Sequence, residues 1–199
     1  MCIRDRLKDY ALQTLFLRIL KMAILEILHY PDNRLRQKCV NIEVFDKSLE
    51  QIVENMLETM YDAKGIGLAA IQVNIIKRII VIDVSKERNS PLILINPEIT
   101  KKNEKIKFEE GCLSVPGFYE KVDRYNAIEY TARDINGKEY QNKCEALLAV
   151  CVQHEIDHLN GKLFVDYLSL AKRENFEKNM KKMISEGIQT KREKVPYSI

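Results

Sequence analysis

His154 and His158 stand four residues apart in the run Gln153-His154-Glu155-Ile156-Asp157-His158, and the 199-residue chain has only three histidines. On a helix, side chains at i and i+4 share a face one turn apart, about 5–6 Å between Cβ atoms. Two imidazoles so placed can reach one metal ion at the ~2.0–2.1 Å that a nitrogen ligand requires. Glu155 projects beside the same point and can take a proton from a water held there. This is the H-E-x-x-H arrangement of metal-dependent hydrolases. The five-residue match alone does not separate a metal site from two packed helical histidines. Its surroundings favour the metal: Leu147, Leu148, Val150 and Cys151 make the preceding turns apolar and Leu159 follows. Buried imidazoles without partners are costly, and a metal gives a partner to both.

A catalytic site needs a third protein ligand and an open position for water. Cys151 lies on the same face, three residues before His154. However, residue 151 to residue 158 is roughly 10 Å along the axis at ~1.5 Å per residue, and the short cysteine side chain leans toward the helix N-terminus. Cys151 is therefore expected in the wall of the site. A better source is Glu110-Gly111-Cys112-Leu113-Ser114, where a cysteine follows a glycine at the end of a strand-like run and precedes Pro116-Gly117. Such a turn-bounded segment can bring a thiolate and a backbone N–H to a metal.

A third segment is Gly65-Ile66-Gly67-Leu68-Ala69-Ala70-Ile71-Gln72. Its small residues allow close backbone approach, and the Gln72 amide can donate to a developing oxyanion. It is no phosphate loop, because it lacks both the third glycine of G-x-G-x-x-G and the Gly-Lys-Ser/Thr ending of a P-loop. Taken alone it reads as a helix terminus followed by a strand.

In this order the three segments resemble the three motifs of the peptide deformylases, and residues 22–36, beginning Met22-Ala23-Ile24-Leu25, resemble the start of that domain. The likeness extends over about residues 22 to 170. It implies removal of the formyl group from the N-terminal formylmethionine of new bacterial and organellar proteins. It implies Cys112, His154 and His158 as metal ligands, Glu155 as acid and base, and Gln72 with the Leu113 N–H as an oxyanion hole. It also implies Fe²⁺ as the native ion, with zinc, nickel or cobalt able to replace it. The chemistry of a thiolate with two imidazoles suits zinc, iron or nickel.

The expected reaction is attack on the formyl carbon by a water that the metal has acidified toward ~7. Glu155 takes its proton and later gives it to the leaving amine. Asp157 is the rival base, but its shorter side chain reaches less far, and a structural role is expected of it. By resemblance Gly65, Ile66 and Gly67 line the substrate site, where their backbone can pair with an extended peptide. Leu147, Val150 and Cys151 face the metal side of the helix and read equally as an apolar hole for methionine or as plain core. Segment 117–120 varies across the family, so Tyr119 is given no role.

Two other readings compete. A zincin-type peptidase needs a third His or Glu downstream; no histidine follows His158, while Glu174, Glu177 and Glu186 remain formally available. A zinc-stabilised binding module needs a fourth ligand, and Cys151 is out of reach.

The elements that must position these residues read as α+β: antiparallel or mixed β-sheets around a central metal-binding helix, with a C-terminal helix. A helix is expected over 49–63, opened by a Ser48/Gln51 capping box. Strands are expected over 78–84, 92–95, 98–109 and 127–134, and an Asn136-Gly137 hairpin turn leads into 138–144. The metal helix should span 145–160 and end at Gly161 as its C′ residue. A basic helix follows over 170–186. Its Lys172, Arg173, Lys178, Lys181 and Lys182 read either as a solvated face or as a dock for ribosomal RNA near emerging chains.

Composition agrees. The length suits one domain. With 32 basic and 29 acidic residues the net charge of +3 does not by itself indicate nucleic acid. No run of 18 apolar residues indicates a transmembrane helix. Five scattered cysteines do not form a disulfide framework, so Cys39 and Cys144 are expected as reduced thiols in a cytoplasmic protein. Residues 1–21 match nothing in the family and read as an extension of doubtful authenticity, with Leu12, Leu15, Phe16, Ile19 and Leu20 at helical spacing. The catalytic domain is expected over 22–187 and a tail over 188–199.

Overall fold

The computed structural model describes residues 23–186; the expected start at Met22, the extension over 1–21 and the tail over 188–199 lie outside them. Five strands form one sheet in the order β1-β2-β3-β4-β5: β1 Gly67–Ala69, β2 Ile79–Ile82, β3 Leu92–Cys112, β4 Val115–Arg133 and β5 Glu139–Glu145. Every neighbouring pair is antiparallel, so the antiparallel form of the expected fold is the one found. Among the described residues three α-helices accompany it: α1 Lys47–Asp62, α2 Ala146–Leu159 and α3 Leu170–Ser185.

At β2 the sheet is covered on both sides. On β2, Ile79 and Val81 pack with Leu49, Val53, Met56 and Met60 of α1. Ile80 and Ile82 pack with Ala149, Cys151, Val152 and Ile156 of α2. Successive strand residues face opposite sides, so a strand with two covered faces must be apolar throughout, as Ile-Ile-Val-Ile is.

Helix α1 begins two residues earlier than expected, and its cap differs. Asp46, not Ser48, is the N-cap, accepting from the Ser48 and Leu49 N–H groups at 2.9 and 3.2 Å. A carboxylate at this position satisfies two otherwise unpaired donors. The expected strands 92–95 and 98–109 are one 21-residue strand, β3. Asn96 and Pro97 break its regularity without ending it: Asn96 has φ +51 and the register with β4 shifts between Ile95 and Glu98. A bulge absorbs the residue that cannot join the ladder. β4 also begins far earlier than the expected 127, at Val115, so Pro116-Gly117 lies inside the strand. The Asn136-Gly137 turn and the helix over 170–185 are found as expected.

Candidate metal centre

Helix α2 is buried almost all round, with ten of its residues out of solvent, His154, Glu155 and His158 among them. It ends at Asn160, and Gly161 follows at φ +73. A Cβ there would lie 2.3 Å from the Arg36 carbonyl oxygen, so both backbone conformation and space require glycine.

Cys112 reaches the helix from the tip of the β3–β4 hairpin. It pairs with Val115, leaving Leu113 and Ser114 as the turn. The segment is not loose. Ser114 N–H donates to Cys112 Sγ at 3.4 Å, and Ser114 C=O accepts from Tyr30 N–H at 2.8 Å. Cys112 Sγ lies 3.2 Å from His158 Nε2, which lies 3.2 Å from His154 Nε2. The three ligand atoms all fall within 4.8 Å of one another, and this is the one such group of metal-ligating side chains among the described residues.

His154 Nδ1 lies 2.8 Å from Glu110 Oε2. With that nitrogen donating its N–H to the carboxylate, the Nε2 lone pair is directed at the Cys112–His158 side, the usual way an imidazole is prepared to bind a metal. Glu110 is fully buried and is gripped again by Arg124, Nε to Oε1 at 2.6 Å and Nη2 to Oε2 at 3.0 Å. Burial opposes its ionisation, but the hydrogen bonds from His154 and Arg124 prevail and hold its carboxyl below the ordinary range. Arg124 also donates to Asp157, which accepts from Tyr167 O–H at 2.9 Å. The Arg124 guanidinium sits 5.0 Å from the Tyr167 ring centre. Asp157 is thus tied into a buried ion network, in keeping with the structural role expected of it. This network is what the sequence reading missed. In the sequence Glu110 stands only as the start of a motif, and nothing in the spacing of Arg124 and Tyr167 points to the histidine.

The remaining atoms test whether the site suits a metal. Glu155 Oε2 and His158 Nδ1 are buried without a hydrogen-bond partner in the protein. Burial pushes the Glu155 carboxyl up to about 7 and, helped by the neighbouring His154 charge, drives His158 well below its usual value. A neutral His158 converging with a thiol and a second imidazole nitrogen is a borderline-soft donor set for a divalent transition ion. The residues fit.

A cavity of about 20 Å³, room for about one water, opens between the motifs. Gly65, Ile66, Gly67, Gln72, Gly111, Cys112, Leu113, Cys151, His154 and Glu155 line it. Gln72 Oε1 accepts from Ala69 N–H at 2.8 Å, while Nε2 lies 3.1 Å from Ser114 Oγ and 3.6 Å from Cys112 Sγ. The glycines are there for lack of room. A Cβ on Gly67 would meet Glu155 Oε1 at 2.5 Å and Cys151 Sγ at 2.8 Å, and one on Gly65 would meet Leu113 Cδ1 at 2.8 Å. Cys151 lies in the wall, its thiol pushed well above the usual range by burial, and stands outside the ligand group. Leu147 and Val150 lie earlier on the same helix and are not part of this cavity's wall. Of the downstream glutamates, Glu177 and Glu186 pair with Arg173 and Lys182 on exposed α3. No described downstream carboxylate joins the histidines.

Comparison with known proteins agrees with this geometry. The family model "Polypeptide deformylase" matches residues 24–174. Peptide deformylase 1 of Pseudomonas syringae pv. tomato is 53% identical over 162 residues, 81% of this chain and 96% of the relative. The Pseudomonas aeruginosa peptide deformylase is 52% identical over the same shares of the two chains. The crystal structure of a peptide deformylase from Legionella pneumophila superposes with a TM-score of 0.79 at 44% identity, covering 85% of this chain and all of that one. That of the Ehrlichia chaffeensis peptide deformylase in complex with actinonin gives 0.77 at 42% identity, over 81% and 98%. The chain belongs to the polypeptide deformylase family.

Proposed function

We propose residue roles for this deformylase, an enzyme that removes the formyl group from the N-terminal methionine of newly made polypeptides. The observation that carries them is the convergence of Cys112 Sγ, His154 Nε2 and His158 Nε2 within 4.8 Å beside a buried, unpartnered Glu155 oxygen. Cys112, His154 and His158 would hold a divalent ion, which would supply Lewis acidity and acidify a water toward ~7. Glu155 Oε2 receives the water proton and delivers it to the departing amine nitrogen, general acid–base work typically worth ~10²–10⁴-fold. Gln72 Nε2 and the Leu113 N–H donate to the formyl oxygen as charge builds on it; loss of one such donor typically costs ~10²–10³-fold. Glu110 holds His154 in the tautomer that leaves Nε2 free, and Arg124 holds Glu110.

Gly65, Ile66 and Gly67 offer the peptide a strand edge. Cys151 bounds the cavity, with Leu147 and Val150 placed two turns and one turn before His154, where a methionine side chain would extend. The ion is Fe²⁺ on this reading, with zinc, nickel or cobalt able to replace it. The location proposed with this substrate is the cytoplasm; no described helix is long and apolar enough to cross a membrane. The basic face of α3 is the proposed contact with the ribosome. Lys172, Arg173 and Lys182 there are paired with Glu120, Glu177 and Glu186, so Lys178 and Lys181 are the cations proposed to meet phosphate.

Formate release from formyl-Met-Ala-Ser, measured beside its acetyl and unblocked analogues with metal content determined on the same sample, tests the reading. One divalent ion per chain, release from the formyl peptide alone and inhibition by actinonin are expected. A metal-loaded protein that leaves the formyl peptide intact would sink it. Full activity as a zinc protein, indifferent to peroxide, would overturn iron as the ion.

A further inference from the structure

Behind the strand edge offered to the peptide stands a loop that the chemistry does not use. Asp83 follows β2 and its N–H donates to the Ile66 C=O at 2.8 Å. Backbone groups alternate along a strand, so with Ile66 turned toward β2, Gly67 turns its N–H and C=O to the outer edge of β1. Gly65, its neighbour on that edge, is held separately. Its N–H donates to Met60 C=O at 2.8 Å, and its C=O accepts from Arg88 Nη2 at 3.4 Å.

Arg88 is itself fixed. Nη1 donates to the Tyr61 C=O at 3.3 Å and the guanidinium lies 6.0 Å from the Tyr61 ring centre. Its backbone sits at φ +52 in a turn closed on Ser85 C=O, a conformation L-residues hold only when surroundings impose it. Asp83 imposes it. Only 2% exposed, its carboxylate accepts from Tyr61 O–H at 2.7 Å, Ser85 N–H at 2.9 Å, Ser85 O–H at 2.6 Å and Ser90 N–H at 3.1 Å. Leu113 leaves no room for a side chain at Gly65: a Cβ there would lie 2.8 Å from Leu113 Cδ1.

We propose that Arg88, seated by Tyr61 and Asp83, is a positioning residue for substrate binding: it clamps the Gly65 carbonyl and so fixes the β1 edge against which the residues after formylmethionine lie. The inference rests on the deformylase reading given above. Arg88 touches neither the metal ligands nor Glu155, so its loss changes how well the peptide is held and leaves the chemical step alone. Interaction lost equally from ground and transition states raises KM at constant kcat.

The metal-loaded full chain is compared with Arg88→Ala, Arg88→Lys and Tyr61→Phe, with Lys86→Ala, an exposed change in the same loop, as control. Arg88→Ala should raise KM for formyl-Met-Ala-Ser roughly 3- to 10-fold, about the worth of one or two hydrogen bonds, with kcat within twofold and metal content unchanged. The rise should shrink for formyl-Met alone, which does not extend along the edge. Arg88→Lys and Tyr61→Phe should fall between, and remain informative if the alanine variant folds poorly. Calorimetric binding of the product peptide Met-Ala-Ser should weaken in parallel, a readout independent of turnover. An unchanged KM, a KM rise equal for the long and short substrates, or a fall in kcat as large as the rise in KM overturns the proposal. Inactive wild-type enzyme that still binds the peptide with the same variant ranking would indict the deformylase reading and leave the brace standing.

Discussion

Helices α2 and α3 are of similar length, 14 and 16 residues, and are held in opposite ways. α2 is enclosed, and even its polar groups are fastened. Gln153 donates to the Tyr125 and Ala149 carbonyls and accepts from Tyr125 N–H, His154 is gripped by Glu110, and Asp157 by Arg124. α3 packs on the body through one apolar stripe, Phe176, Met180 and Met183, set among Tyr30, Phe118 and Phe164. Its other face is exposed lysine and glutamate. Ligand geometry tolerates errors of only a few tenths of an ångström, so the helix that carries it is locked from every side. A helix that carries only surface needs one apolar stripe. The two also meet through Cys112, whose hairpin packs in the same cluster as Phe176.

The sharpest break in α2 is Glu155→Gln. The amide keeps the shape and cannot accept a proton, so turnover should fall ~10²–10⁴-fold with metal and melting temperature retained. Near-normal turnover in a metal-loaded variant would remove Glu155 as the base. Cys112→Ala should instead lose metal, because two histidines and water make a poorer site; tightly bound stoichiometric metal in that variant would exclude Cys112 from the ligands.

For α3 the corresponding break is Phe176→Ala. The ring is fully buried, 5.0 Å from Tyr30 and 4.7 Å from Phe118 between ring centres. Its loss should cost about 3–5 kcal/mol, read as a lowered denaturation midpoint. If α3 only covers surface, the metal content of the folded variant stays at one. If metal is lost as well, the Cys112 hairpin depends on this helix, and the contrast between the two helices is weaker than drawn.

What could be read from the sequence follows the same division. The ligand helix and Gly161 were legible because helical spacing and a stop signal are local properties. The Gly65-to-Gln72 and Glu110-to-Ser114 segments were legible as motifs, while their meeting depends on β-pairing over forty residues and came only through family resemblance. Arg124 was invisible: the arginine that anchors Glu110 and Asp157 belongs to a strand stretch, 115–126, that the pattern did not mark as strand at all. Asp46 was overlooked because Ser48 and Gln51 offered a competing cap two residues later.

Glu110→Gln probes that hidden layer. It keeps a hydrogen-bonding oxygen for His154 but removes the charge that pairs with Arg124. Metal affinity should fall about 10- to 100-fold, measured by competition with a chelator, while Glu155 and the ligands stay in place. Unchanged affinity would mean that the Glu110–Arg124 pair serves folding alone.

The smallest effect on stability is expected on the exposed face of α3. Lys178 and Lys181 are solvent-exposed and form none of the ion pairs found on this helix, and surface changes away from packing usually stay within about 0.5 kcal/mol. Lys178→Glu with Lys181→Glu should therefore leave the midpoint and deformylation of a free tripeptide almost unmoved. Lys182 is left alone, because a cation in the last turn favours the helix terminus and its loss would confuse the reading. If this face meets ribosomal phosphate, cosedimentation with ribosomes should drop steeply in the double variant and the wild-type interaction should weaken as salt rises. Equal cosedimentation of the two proteins across the salt series would leave the lysines as a solvated face and α3 as cover for the Cys112 hairpin.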